Sequence, residues 1–301
     1  MRKVLKWIGI VLGGLVLLLV IAGISLYLVA RGRLNRDYDI QVEAITIPTD
    51  EASVERGRHL VEAVSGCGGC HGDGLAGAVF IDDPAIGTFY ASNLTSGEGG
   101  VGARFSDTDW VRAIRHGVRP DGTPLLIMPS NLYYRYSDED LGAIIAYLKS
   151  LPPVGNQTPA RQFAIPAHFL LALGVFGPDA FPAEVIDHEG PHPEPPELAV
   201  TEAYGEHLTY VAGCRGCHAT ELAGGQGAPG EPMAPNLTPG GELANWSEED
   251  FFILMRSGTT PEGQQVNPFM PWMDFQNMTD EEIQAIWLYL QSIPARESFT
   301  P

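Results

Sequence analysis

The 301-residue sequence predicts a mainly α-helical protein, with an N-terminal transmembrane helix followed by two tandem copies of one small helical domain. Three observations predict it. Trp7 to Ala30 is an apolar run without a charge, long enough to span a bilayer as a helix. Five segments recur along the chain at an offset that drifts only between 148 and 141 residues. Four helix-start signals fall in matched pairs within those repeats. The sequence divides into an anchor (1–36), a first domain (37–152), a linker (153–198) and a second domain (199–301).

The anchor competes with a cleaved signal peptide. Its apolar run ends Leu28-Val29-Ala30-Arg31 and offers a poor cleavage site, which favours retention. Arg2, Lys3 and Lys6 are balanced by Arg31, Arg33 and Arg36, so charge alone leaves the orientation open.

The repeat pairs Gly57-Arg58-His59-Leu60 with Gly205-Glu206-His207-Leu208, Asn93-Leu94-Thr95 with Asn236-Leu237-Thr238, and Met128-Pro129 with Met270-Pro271. Ser106, Ser137, Ser247 and Thr279 are predicted N-caps, with Asp109, Asp140, Asp250 and Glu282 completing capping boxes. Apolar staples bracket them: Phe105 with Trp110, Tyr136 with Leu141, Trp246 with Phe251 and Met278 with Ile283. These carboxylates are therefore capping groups rather than acid–base catalysts.

The last helix of each copy shows one apolar stripe, Leu141, Ile144, Ile145 and Leu148 or Ile283, Ile286, Trp287 and Leu290, and stops before Pro152 or Pro294. Gly57 and Gly205 allow a second helix to approach, with Tyr147 and Tyr289 as the expected neighbours. In the linker, the apolar stretch Phe163–Phe181, interrupted by Pro166 and Pro178, is expected to pack as a short helix across both domains; dipping into a membrane or a partner is the alternative. Pro191-His192-Pro193-Glu194-Pro195-Pro196 is expected to be extended.

All four cysteines lie in two C-x-x-C-H motifs, Cys67-Gly68-Gly69-Cys70-His71 and Cys214-Arg215-Gly216-Cys217-His218. Two thiols on one helical turn can each add to a vinyl group of the same haem, and the adjoining histidine lies under the iron as proximal ligand. A single tetrahedral zinc site built from four cysteines is the rival reading. The sixth ligand decides between electron transfer and catalysis. Met128 is the sole methionine of residues 37–152, and Met270 stands in the same register before Thr279 as Met128 before Ser137. Met273 is the fallback, and Met278 reads as a staple. His59 and His207 read as packing or propionate partners, and Asn93 and Asn236 as propionate donors or loop braces.

The net charge is −19, with 3 basic against 14 acidic residues over 199–301. Such acidity argues against nucleic acid and favours a redox protein with a basic docking face. Arg104, Arg112, Arg115 and Arg119 in the first domain can neutralise propionates or face an acidic neighbour.

On both C-x-x-C-H motifs, Met128-Pro129, Met270-Pro271 and terminal helices ending Tyr147-Leu148 and Tyr289-Leu290, the chain resembles the membrane-anchored dihaem class I c-type cytochromes over roughly residues 50–296. The resemblance implies two cytochrome c domains, two covalent haem c groups, and axial pairs His71/Met128 and His218/Met270. Saturated iron implies an electron carrier, or an electron-transfer subunit of a dehydrogenase or respiratory complex, rather than an enzyme. Covalent attachment of this type puts residues 37–301 on the outer, periplasmic side of a single-pass membrane protein. The alternatives are a dihaem peroxidase, which needs one displaceable ligand, and a haem subunit that mainly assembles a larger complex. Similar alcohol- and gluconate-dehydrogenase subunits carry a third haem domain, and the cbb3-type oxidase subunit a shorter link.

Overall fold

A computed structural model describes residues 2–177, 180–192, 194–225 and 232–299. Helix α1 (Arg2–Leu34) is long and apolar enough to cross a membrane, and its apolar window is unburied by the rest of the chain. Among the described residues, only its last turns are covered. Ala30 and Leu34 pack with Leu171, Ala180 and Phe181, and Arg33 pairs with Glu184 at 2.7 Å.

The first module contains α2 (Glu51–His59), continued by a π-helical turn (Leu60–Val64), then α3 (Gly68–His71), α4 (Asp107–His116), α5 (Ser130–Tyr133) and α6 (Asp138–Ser150). After α7 (Ile165–Ala172), the order repeats as α8 (Glu202–Val211), α9 (Cys214–Cys217), α10 (Glu248–Ser257), α11 (Trp272–Phe275) and α12 (Asp280–Ser292). In each module the first helix packs on the last, α2 on α6 and α8 on α12. A Cβ on Gly57 would run into the Ala143 carbonyl, and one on Gly205 into the Ala285 carbonyl. The helices thus touch backbone to backbone at Ala143, one turn before Tyr147; in the second copy Tyr289 adds its Cβ.

The predicted caps form at Ser106, Ser247 and Thr279 as reciprocal boxes. Ser137 departs from the pattern. Its hydroxyl accepts from the Asp140 amide, but the Asp140 carboxylate turns away to Arg56, at 2.9 Å from Nε. A guanidinium gives the stronger, charge-assisted bond and outcompetes the cap amide.

Beyond the helices predicted from the sequence, the fold contains a small sheet, β1 (Ala78–Asp83) antiparallel to β2 (Gly87–Ala91), with β3 (Gln162–Phe163) on the far side of β2. Val79-Phe80-Ile81 and Phe89-Tyr90 are good strand residues, and Asp83 closes the turn by accepting from the Ala85 and Ile86 amides. Gly87 (φ +115°) lets β3 approach, because a side chain there would strike the Gln162 carbonyl.

The linker also differs from expectation. Helix α7 packs on α1, not across both modules. Pro178 and Pro193 lie outside the described residues; the described residues of 191–196 carry neither helix nor strand. The modules meet directly, and one buried apolar cluster runs from Leu60, Leu141 and Ile145 to Leu208, Ile283 and Ile286.

Candidate haem sites

Each C-x-x-C-H motif forms a single helical turn. The His71 amide donates to the Cys67 carbonyl and the His218 amide to the Cys214 carbonyl, both at 2.9 Å. Closing that turn brings two thiols and an imidazole together. The imidazoles are held alike: His71 Nδ1 donates to the Ser92 carbonyl and His218 Nδ1 to the Pro235 carbonyl, both at 2.8 Å. A carbonyl only accepts, so Nδ1 carries the proton and Nε2 keeps its lone pair for a metal. Burial pushes both imidazole pKa values down, which keeps them neutral and ready to ligate.

Burial also pushes the Cys67 and Cys214 thiols up to about 12. Thiolate chemistry is disfavoured there, whereas an uncharged thioether is at home. Among the described residues no group of three or more His, Cys, Asp or Glu side chains is placed to hold a metal ion. The four cysteines therefore do not converge on the tetrahedral zinc site considered above.

One apolar cavity of about 690 Å³ takes in both motifs. Its walls include Cys67, Cys70, His71 and Met128 from the first module, and Cys214, Cys217, His218 and Met270 from the second. All eight residues singled out from the sequence therefore face common space. The two Met-Pro pairs have the same local geometry: the Ser130 amide donates to the Met128 carbonyl at 2.7 Å and the Trp272 amide to the Met270 carbonyl at 2.8 Å, each opening a one-turn helix. Met273 lies on α11 and is 54% exposed. Met278 is buried beneath the start of α12, as a staple should be. Met255 and Met233 also line the cavity, Met255 as part of the α10 core.

Residues expected to have one of two roles resolve toward structure. Asn93 accepts from the Thr95 amide and hydroxyl and donates to the Val154 carbonyl; Asn236 accepts from the Thr238 amide and hydroxyl and donates to the Arg296 carbonyl. Each asparagine ties the loop behind its histidine to the chain beyond its terminal helix. His59 bonds to Glu282 of the other module, and His207 stacks on Tyr204. Arg115 is spent on Asp138 and the Tyr136 carbonyl.

Arg161 of the linker was not anticipated, because no repeat or motif marks it. It joins Arg119 in the cavity wall. Burial, then the neighbouring Arg161 charge, lowers Arg119 to about 10, and Arg161 Nη1 is buried without a hydrogen-bond partner. Two crowded guanidiniums facing an apolar cavity suit a ligand that is flat, greasy and edged with carboxylates. The donor set thus fits haem c: paired thiols, a directed imidazole, a methionine and basic groups at the rim.

Comparison with known proteins agrees. Residues 203–294 match the cytochrome c family, and residues 52–148 match the cytochrome c oxidase, cbb3-type, subunit III family. The chain is 31% identical over 269 residues to the fructose dehydrogenase cytochrome subunit of Gluconobacter japonicus, covering 81% of this chain and 53% of that one. It is 30% identical over 284 residues to the cytochrome c subunit of the quinone alcohol dehydrogenase of Gluconacetobacter polyoxogenes, covering 83% and 58%. A diheme cytochrome c-type protein of Cereibacter sphaeroides is 27% identical over 304 residues, covering 92% and 98%. The chain thus spans little more than half the length of the two dehydrogenase subunits. It is a cytochrome c-family protein related to the cytochrome c subunits of bacterial dehydrogenases and oxidases, with one membrane-length apolar helix near its N-terminus.

Proposed function

We propose that this protein is a membrane-anchored dihaem c-type cytochrome that carries electrons from a membrane-associated donor to a redox partner, without bond chemistry of its own. The observation that carries the reading is the shared cavity bearing two motif turns, each with its histidine Nδ1 engaged and an in-register methionine on the wall. Cys67, Cys70, Cys214 and Cys217 would hold two haems by thioether bonds; His71 and Met128 would ligate one iron, His218 and Met270 the other. Haem, when bound, supplies the Fe(III)/Fe(II) couple. The protein's part is to orient and to exclude water. The Ser92 and Pro235 carbonyls fix the imidazole planes. Trp110, Leu148, Phe251 and Leu290 keep the cavity apolar, so little solvent reorganises when charge moves. With both ligand pairs in place the iron would have no open position, whereas a peroxidase needs a displaceable ligand.

Two of these relatives are named as dehydrogenase subunits, and this chain is likewise read as the electron-transfer subunit of an oxidoreductase complex. Its helical modules lie on the periplasmic side and α1 stays in the cell membrane.

The test is absorption spectroscopy of the purified full chain. Two covalent haems, low-spin, each with a methionine-to-iron charge-transfer band, are expected. Met128→Ala and Met270→Ala should each remove one band and lower one potential. Loss of the second band in Met273→Ala but not in Met270→Ala would reassign that ligand.

A further inference from the structure

Helix α7 occupies a place that neither haem site explains. No Asp, Glu, Lys or Arg occurs between Arg161 and Asp179. Ala167 and Leu171 are buried, but Ile165 is 73% exposed, Leu173 64% and Val175 43%. Water would penalise such a row, and none of the described residues covers it.

Its position along α1 supplies the occupant. Tyr27 and His168 lie with ring centroids 4.9 Å apart, and a methyl group on Gly23 would meet Cε1 of Phe169 at 3.8 Å. Gly23 lies eight residues before Arg31, about 12 Å deeper along the helix axis at 1.5 Å per residue. Phe169 therefore lies level with the apolar run that spans the bilayer, not with the flanking arginines. Arg33 locks the depth: Nη1 donates to the Leu171 carbonyl at 2.6 Å, while Nε and Nη2 grip Glu184 at 3.0 and 2.7 Å. The guanidinium thus sits at the C-terminal end of α7, at the level expected of the headgroups.

We propose that α7, with Leu173 and Val175 beyond it, is a membrane-embedded half-helix whose exposed face is covered by lipid acyl chains. This rests on the reading of α1 as a retained span. Eight helical residues are too few to cross, so α7 enters and leaves on one side. The chain then holds the bilayer at two points, and two points fix an orientation that one flexible stalk leaves free. Leu126 packs against the Ala30–Leu34–Leu171–Phe181 cluster and also lines the haem cavity. The first module's end of the cavity is accordingly the end held against the membrane.

The full chain would be reconstituted in phosphatidylcholine/phosphatidylglycerol vesicles doped with a phosphatidylcholine bearing a diazirine in its acyl chain. After photolysis, lipid adducts are located by peptide mass spectrometry. Adducts on Ile165, Leu173 and Val175 should match those on Leu18 of α1 and exceed those on Leu288 and Val200 of the second module by about tenfold, the preference expected for one buried aliphatic side chain. Ile165→Glu with Leu173→Glu should lose the α7 adducts and keep both the α1 adducts and the visible spectrum. Adducts on α1 with none on residues 165–175 overturn the inference and leave the anchor standing, as does an α7 cross-linked to another protein instead of lipid. Adducts on α7 with none on α1 overturn the anchor and, with it, the depth argument on which the inference rests. Absence from both overturns the two together.

Discussion

Nε2 of His59 and Oε2 of Glu282 lie 2.8 Å apart across the boundary between the two modules. Glu282 is buried, and it also accepts from the Tyr204 hydroxyl at 3.1 Å and the Thr279 amide at 3.0 Å, with Arg56 Nη1 at 3.7 Å. One carboxylate caps α12 and holds α2 of the other module. Its duplicated counterpart, Asp140, takes Arg56 of its own module. Arg56 thus links the two equivalent cap residues, pairing with Asp140 inside the first module and reaching Glu282 across the seam.

Breaking that seam should be expensive. Glu282→Ala leaves a half-buried imidazole and a buried hydroxyl without their acceptor and removes half of a capping box, so a loss of about 3 kcal/mol is expected in denaturant unfolding. Burial raises the Glu282 pKa, but the bonds from His59, Thr279 and Tyr204 outweigh it and the net shift is downward. A depressed carboxyl contributes stability that is whole above its ordinary value near 4.5 and is lost as pH falls through the folded value. Glu282→Gln should flatten that acid limb; an unchanged limb would assign it to other carboxylates.

Gly57→Ala and Gly205→Ala should each prevent their helix pair from closing, since the new methyl would overlap a main-chain carbonyl. Backbone cannot move aside as a flexible side chain can. The expected cost is above about 3 kcal/mol. Circular dichroism melts would show it, and Gly155→Ala, where nothing lies within 4 Å, is the control expected to be neutral.

A second pH response is predicted where the linker docks on α4. His188 Nε2 donates to the Ala183 carbonyl at 3.0 Å, so its Nδ1 accepts from His116 Nδ1 at 3.0 Å. Burial first, then the charges of His188, Arg115, His192 and Arg112, lowers His116 to about 3. The unfolded chain takes up this proton near 6.5 and the folded one does not. Stability is therefore complete above pH 6.5 and declines toward pH 3, by up to about 1.4 kcal/mol per pH unit. His116→Phe should remove this slope in urea titrations at pH 4.5–7; a slope that persists would place it elsewhere.

The acidity of residues 199–301 predicts salt-dependent docking. Reduction of a small basic cytochrome by the full chain should slow steeply as the Debye length shortens to about 10 Å at 0.1 M. The fall should be in association rate, read by stopped flow. A rate indifferent to salt would make the acidity a solubility feature.

The sequence by itself determined what depends on near neighbours in the chain. Ser106, Ser247 and Thr279 cap their helices because a side chain reaches an amide three residues on, whatever surrounds it. The C-x-x-C-H turns and the Met-Pro pairs are equally local, and the repeat located them. The tertiary structure decided what depends on partners distant in the chain. Asp140 forms no capping box because Arg56 arrives from α2, and His59 is engaged by a carboxylate of the other module. Tyr147 gives way to Ala143 at the glycine contact, since helix crossing is set by the whole packed face. The β1–β2–β3 sheet depends on a strand from the linker, and α7 on α1, so composition alone could not choose the neighbour of either. Arg161 and Arg119, far apart in sequence, share a cavity because the linker folds back over the first module, where burial leaves Arg119 sensitive to the Arg161 charge.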